Sequence, residues 1–212
     1  MPKKTRVEGR IIVGSQDYDL GEHCRRFAIW SASIAASRSP KCRFKVKKGK
    51  EMIEAVAELY KLAEGPELLP EKDCAKQKHK EWREKLIKEA QTKIGKGPGR
   101  EFTHGVAAKL INVYLKSLFL SSNIMPIPHK YRSKIDALHP PIDRLLLEKL
   151  GKVKCKDFSQ PHYKKQTTWN SFKRRGWSKM GSDEYEAVIE AIGKITDGKL
   201  WKIERFWTGH QE

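Results

Sequence analysis

Apolar residues recur along the chain at helical spacing more than at any other. The first 20 residues show no such period; Ile11-Ile12-Val13 reads as a short strand or packed coil. Phe27, Ala28, Ile29, Trp30, Ala32, Ile34, Ala35 and Ala36 then crowd one segment. Its alanine content and crowding predict a helix over 27–37 packed on two sides and ended by Pro40. A basic loop is expected over 41–50. In 51–63, Met52, Val56, Leu59 and Ala63 share one stripe that Ile53 and Tyr60 widen, which predicts an amphipathic helix stopped at Gly65-Pro66. Residues 71–94 are heavily charged, with a thin face of Trp82, Leu86 and Ile87, and predict a surface helix. Gly95-Lys96-Gly97-Pro98-Gly99 breaks the chain.

The most apolar segment, 102–120, predicts a buried central helix. A connection over 121–141 follows, carrying Pro126, Pro128, Pro140 and Pro141. Asp143 opens a further helix that is expected to stop at Gly151. Residues 152–181 mix cations with Phe158, Tyr163, Trp169, Phe172 and Trp177. Ser182 is the expected cap of a last helix with apolar positions Tyr185, Val188, Ile189, Ile192 and Ile195; Asp183 and Glu184 in its first turn suit the helix dipole. The run from Leu200 to Trp207 closes on the core. The fold class expected is all-α, one domain over 1–212 with helical halves near 1–100 and 101–212.

Charge changes the picture. Lys plus Arg number 44 against 26 Asp plus Glu, a net charge of +18 over 212 residues. A surplus that large draws in polyanions, and nucleic acid is the first expectation. No run approaches the roughly 18 apolar residues of a spanning helix, and no apolar stretch follows the basic N-terminus as a signal peptide requires. A cytoplasmic protein, without a membrane partner and monomeric, is expected. Cys24, Cys42, Cys74 and Cys155 form no C-x-x-C pair, so they read as unpaired thiols rather than a zinc or redox motif. No phosphate-loop or dinucleotide glycine motif occurs, and neither cofactor nor metal is expected.

Two segments carry candidate chemistry. In Gly105-Val106-Ala107-Ala108-Lys109-Leu110-Ile111-Asn112, a lysine sits in the first turns of a buried helix. Burial and the helix N-terminus both disfavour its ammonium form and favour a nucleophilic amine. The alternative is a lysine that reaches solvent or grips a DNA phosphate. In His139-Pro140-Pro141-Ile142-Asp143-Arg144, two prolines extend the chain and Asp143 takes a helix N-cap position, where backbone N–H groups keep a carboxylate ionised and aimed. An ordinary cap is the alternative.

Gly105 to Lys109, the Lys109/Lys116 spacing and Pro141-Ile142-Asp143-Arg144 together resemble the helix-hairpin-helix DNA glycosylases, most closely the compact archaeal form of the 8-oxoguanine glycosylase branch. Ala107 stands where the hairpin commonly has its second glycine, and the four-cysteine iron–sulfur motif of some relatives is absent. The resemblance implies a helical fold with a cleft between two subdomains, and double-stranded DNA as partner. It also implies flipping of a modified nucleotide into a pocket, where Asp143 stabilises charge on the sugar or activates the attacking group and Lys109 attacks C1′. Strand cleavage would follow a Schiff base; a charged Lys109 that only positions DNA would leave water to attack. Both repair and defence against modified viral DNA fit, and the excised base is left open.

Asn112, one turn past Lys109, is a pocket candidate or a core amide. Trp30, Ser31, Ser33, Trp201, Trp207, His139 and His129 are further pocket candidates. Arg144, Lys164, Lys165, Lys173, Arg174, Arg175 and the Gly105 turn are expected to contact DNA. The alternatives are a non-catalytic nucleic-acid-binding module and an interaction or toxin-like protein without a DNA partner.

Overall fold

The computed structural model describes residues 19–121, 128–153 and 158–207. The Ile11-Ile12-Val13 segment, Pro126, Cys155 and part of the basic stretch lie outside these residues. The described residues are helical, with two isolated β-bridges, Cys42–Arg100 and Tyr163–Gln166, and no strand.

Helix α1 spans Leu20–Ser37, starting two turns earlier than the apolar pattern indicates. Asp19 caps it by accepting from the Glu22 N–H, and Glu22 pairs with Arg25 and Arg26 on the following turn. Ala28, Ala32 and Ala36 are fully buried, a small-residue stripe that lets α1 lie close against the central helix. Helix α2 (Val46–Ala55) starts inside the expected basic loop. At Val56 the backbone leaves helical geometry (φ −95°, ψ 80°), so the predicted 51–63 helix is broken into α2 and α3 (Ala57–Lys61).

Helix α4 (Lys72–Lys93) is less superficial than its charge suggests. His79, Trp82, Arg83, Leu86 and Ala90 form a buried stripe that is partly polar. Helix α5 (His104–Phe119) is the expected central helix, capped by Thr103. The proline-rich connection holds a short helix, α6 (Arg132–Asp136). Helix α7 (Arg144–Lys152) runs through Gly151, and α8 (Trp169–Arg175) is opened by a Thr168/Ser171 capping box. Helix α9 (Ser182–Thr196) starts one residue past its cap: Gly181, not Ser182, takes that position, with the Glu184 carboxylate accepting from the Gly181 N–H. A 3-10 segment, Leu200–Phe206, closes the described chain.

Two apolar clusters form the interior. The first joins α1 to α5 and includes Ile135 and Leu138; the second holds Ile142, α7, α8, α9 and Ile203. Helix α5 feeds both, because Val106, Leu110 and Ile111 face one cluster and Ala108 the other. Ala108 apart, the buried residues through Leu138 belong to the first cluster and those from Ile142 onward to the second. Among the described residues, no helix is long and apolar enough to cross a membrane.

Candidate active site

Helix α5 carries Lys109, Val113, Lys116 and Ser117 on one stripe that its C-cap Leu120 extends, and that stripe walls an open cavity of about 1340 Å³. Phe27, Ser31 and Ala35, at helical spacing on α1, and its C-cap Arg38 form a second wall. Pro141 and Asp143 to Leu146 form a third, and Trp177, Trp201, Glu204 and Trp207 complete the enclosure.

Lys109 Nζ donates to Asp143 Oδ2 at 3.3 Å. The other oxygen, Asp143 Oδ1, accepts from the Leu146 N–H at 2.9 Å, the N-cap bond that the sequence predicts. The capped oxygen fixes the carboxylate, and the second oxygen is left for the amine. Lys109 is 8% exposed. Burial pushes its pKa below the ordinary lysine value, and the Asp143 charge partly offsets that. Lys109 Nζ also lies 5.9 Å from the centre of the Trp177 ring. The site thus holds an amine whose protonated form is penalised, an aimed carboxylate and an aromatic face, all at one wall of an open cavity.

Further along the stripe, Lys116 is ion-paired with Glu204 and lies 5.0 Å from the Trp207 ring centre. Trp201 Nε1 donates to Asp136 Oδ1 at 2.8 Å, which holds that ring in place. Four exposed cations, Arg38, Arg144, Lys202 and Arg205, line the mouth of the cavity.

Of the pocket candidates, Ser31, Trp201 and Trp207 line the cavity. The others do not, each for a local reason. Trp30 falls off the α1 stripe and is half exposed beside Phe27. Ser33 is fully buried, donating to the Ile29 carbonyl where α1 meets Gly49. His129 is exposed outside the cavity lining. Asn112 and His139 are core groups on the far side of Lys109, in a buried network with His79, Arg83 and Tyr185.

Gly105 is buried instead of presented to a partner. A side chain there would meet the Trp177 carbonyl oxygen at 1.9 Å, and its N–H donates to the Met180 carbonyl at 3.1 Å. The glycine allows the head of α5 to dock against the segment that bears Trp177. Of the expected DNA contacts, Lys164, Lys165 and Arg174 are exposed; Lys173 lies 3.7 Å from Glu148, and Arg175 pairs with Glu184 at 3.2 Å. Arg144 is both exposed and at the cavity.

Sequence reasoning missed Phe27, Arg38, Lys116, Trp177, Lys202, Glu204 and Arg205 as lining residues. Periodicity on α1 offers a signal for Phe27 and Arg38 once Ser31 is placed. No local pattern marks Trp177, which the chain brings in from a 3-10 turn after α8. No group of three or more His, Cys, Asp or Glu able to hold a metal ion occurs among the described residues. Comparison with family models, with curated proteins and with solved structures returns no match.

Proposed function

We propose that this chain is a DNA glycosylase that extrudes a modified base from double-stranded DNA and cleaves its bond to the sugar. The observation that carries this is the 3.3 Å approach of Lys109 and Asp143 at the wall of an open, partly aromatic cavity ringed by exposed cations. Cations at the mouth suit phosphates, aromatic rings suit an extruded base, and the amine and carboxylate suit a sugar between them.

In this scheme Lys109 gives up its proton to solvent, and its nitrogen lone pair bonds to C1′. The C1′–N bond breaks and the base leaves with the bonding pair, protonated from solvent. The Asp143 carboxylate, aimed by its cap bond, stabilises positive charge at the sugar as the bond lengthens. Opening of the sugar ring gives a Schiff base, from which loss of a C2′ proton expels the 3′-phosphate and cuts the strand. If Lys109 stays protonated, water takes the attacking role and an intact abasic site remains. The fold that goes with this activity is a helix-hairpin-helix-like arrangement with the cavity as cleft between its two apolar clusters.

The test is a panel of duplexes carrying oxidised, alkylated and bulky modified bases, scored for base release, together with borohydride trapping on an abasic duplex. Release from at least one substrate is expected, and a trapped adduct on Lys109 marks the covalent route. No release and no adduct would overturn the proposal and leave a non-catalytic nucleic-acid binder, a role the +18 net charge also fits.

A further inference from the structure

We infer that Asn112 is a positioning residue: it holds the Pro140 carbonyl so that the following turn delivers Asp143 to Lys109, and one fixed proton arrangement through His79, Tyr185 and His139 keeps Asn112 in that orientation. The inference rests on Lys109 and Asp143 being the reacting pair.

Asn112 Nδ2 donates to the Pro140 carbonyl at 2.8 Å and to the Tyr185 hydroxyl at 2.9 Å, while its Oδ1 lies 2.7 Å from His79 Nε2. Asn112 is 1% exposed, so none of these bonds is exchanged with bulk water. A carbonyl only accepts, and this one fact orders the whole network. The amide nitrogen must face Pro140, so the amide oxygen faces His79 and requires a proton on His79 Nε2. The second amide N–H occupies Tyr185, whose own O–H then points to His139 Nδ1, 3.0 Å away. His139 must therefore accept at Nδ1 and carry its proton on Nε2. Reversing the Asn112 amide sets two acceptors against each other at Pro140, and reversing the Tyr185–His139 bond leaves the buried Tyr185 O–H without an acceptor.

Packing holds the same groups. The His79 and His139 rings stack at 4.1 Å, and the Arg83 guanidinium lies 4.5 Å from the Tyr185 ring centre while pairing with Glu186. Burial pushes the His139 pKa down to about 3 and that of His79 well below its ordinary value, so both rings are neutral as the arrangement requires. Pro140 lies three residues before Asp143 and has a rigid Pro141 after it, so its carbonyl is a short lever on the carboxylate. Asn112 lies one turn from Lys109 on α5. One residue thus ties the lysine helix to the aspartate turn from behind the cavity.

Two measurements test this. Histidine ¹⁵N spectra of the wild-type protein near neutral pH should show His79 and His139 both protonated on Nε2 alone. A proton on His139 Nδ1, or an imidazolium at either, would overturn the proton arrangement. Asn112→Asp removes both donors at constant size and should lower kcat for base release roughly 100-fold, with KM for DNA within about two-fold. Tyr185→Phe keeps the Pro140 contact and should lower kcat by no more than about ten-fold. Should Asn112→Asp fail to fold, Asn112→Ala takes its place. Unchanged kcat, or a change in KM alone, would overturn the positioning role. Failure of the glycosylase assignment is separately visible, as wild-type protein that releases no base. The Lys109 amine, titrated by ¹⁵N NMR, then reads the same placement without turnover. Its pKa should fall further in Asn112→Ala as Asp143 moves away, and an unmoved titration would overturn the role.

Discussion

Asp143 does two separable jobs, and substitution divides them. Asp143→Asn keeps a good N-cap for α7 while removing the charge that faces Lys109; Asp143→Ala removes both. At 3.3 Å and an effective dielectric of about 20, opposite unit charges attract by about 5 kcal/mol before desolvation is counted. Desolvation of the buried ammonium opposes this, and without Asp143 the Lys109 pKa falls further, so the loss is capped by the cost of shedding the proton. Shedding it costs only about 1.4 kcal/mol for each unit between the lysine pKa and the working pH. Asp143→Asn should therefore lower stability by about 1–3 kcal/mol at neutral pH, less than the loss of a fully buried partner. Asp143→Ala should cost about 1 kcal/mol more, the value of the cap.

The pH dependence has a definite sign. The folded Lys109 pKa lies below its unfolded value, so the ammonium is penalised in the fold, and stability rises as pH climbs through the folded pKa toward about 10.4. Without Asp143 the folded pKa drops further, and that rise begins at lower pH. The gap between wild type and Asp143→Asn is thus full only below the variant's further-lowered Lys109 pKa, narrows as pH rises from there, and is closed above the wild-type folded pKa. Denaturant unfolding of all three proteins across pH 6–10 measures it. A gap independent of pH, or equal losses in the two variants, would refute the coupling of amine and carboxylate.

Three further outcomes are expected. Because His139 is held neutral with its pKa near 3, stability should fall as pH drops from about 6.5 toward 3, with a slope of about 1.4 kcal/mol per pH unit from this residue. His139→Gln should flatten that slope in acid unfolding curves. Gly105→Ala places a methyl 1.9 Å from the Trp177 carbonyl and should cost about 1–3 kcal/mol in denaturant unfolding while shifting the tryptophan fluorescence. Duplex DNA affinity should fall steeply with salt, and each of Arg38→Ala, Lys202→Ala and Arg205→Ala should reduce the log–log slope by about 0.9 if it meets a phosphate. An unchanged slope in all three would remove the cavity mouth from the DNA interface.

Much of the architecture is legible in the sequence, and what is not has local causes. Helix α5 stands out because apolar residues cover nearly all of it. The first turns of α1 do not, because charged residues fill them and a cap with Glu22–Arg pairs holds them instead of burial. Helix α8 shows only Trp169 and Phe172 as buried anchors, too few for a period, and its capping box pairs Thr168 with a serine rather than an acidic residue. The break at Val56 leaves no trace in an apolar stripe that continues through it. Lys109 and Asp143 are each legible from a helix start, but the expectation that they meet rests on the resemblance to the glycosylases and not on local geometry. Asn112 and His139 could not be assigned to the core, because their hydrogen-bond partners come from α4 and α9, remote in the chain. Trp177 reaches the lysine through the docking that Gly105 allows, a tertiary contact with no local signature.

The most direct measurement is single-turnover base release by Lys109→Gln and Asp143→Asn beside the wild type, on the duplex the wild type acts on best and at matched DNA occupancy. Release by the wild type, and its loss in both variants with affinity for the duplex retained, is the outcome expected of an amine and a carboxylate that meet at the sugar. Normal turnover in either variant would contradict it.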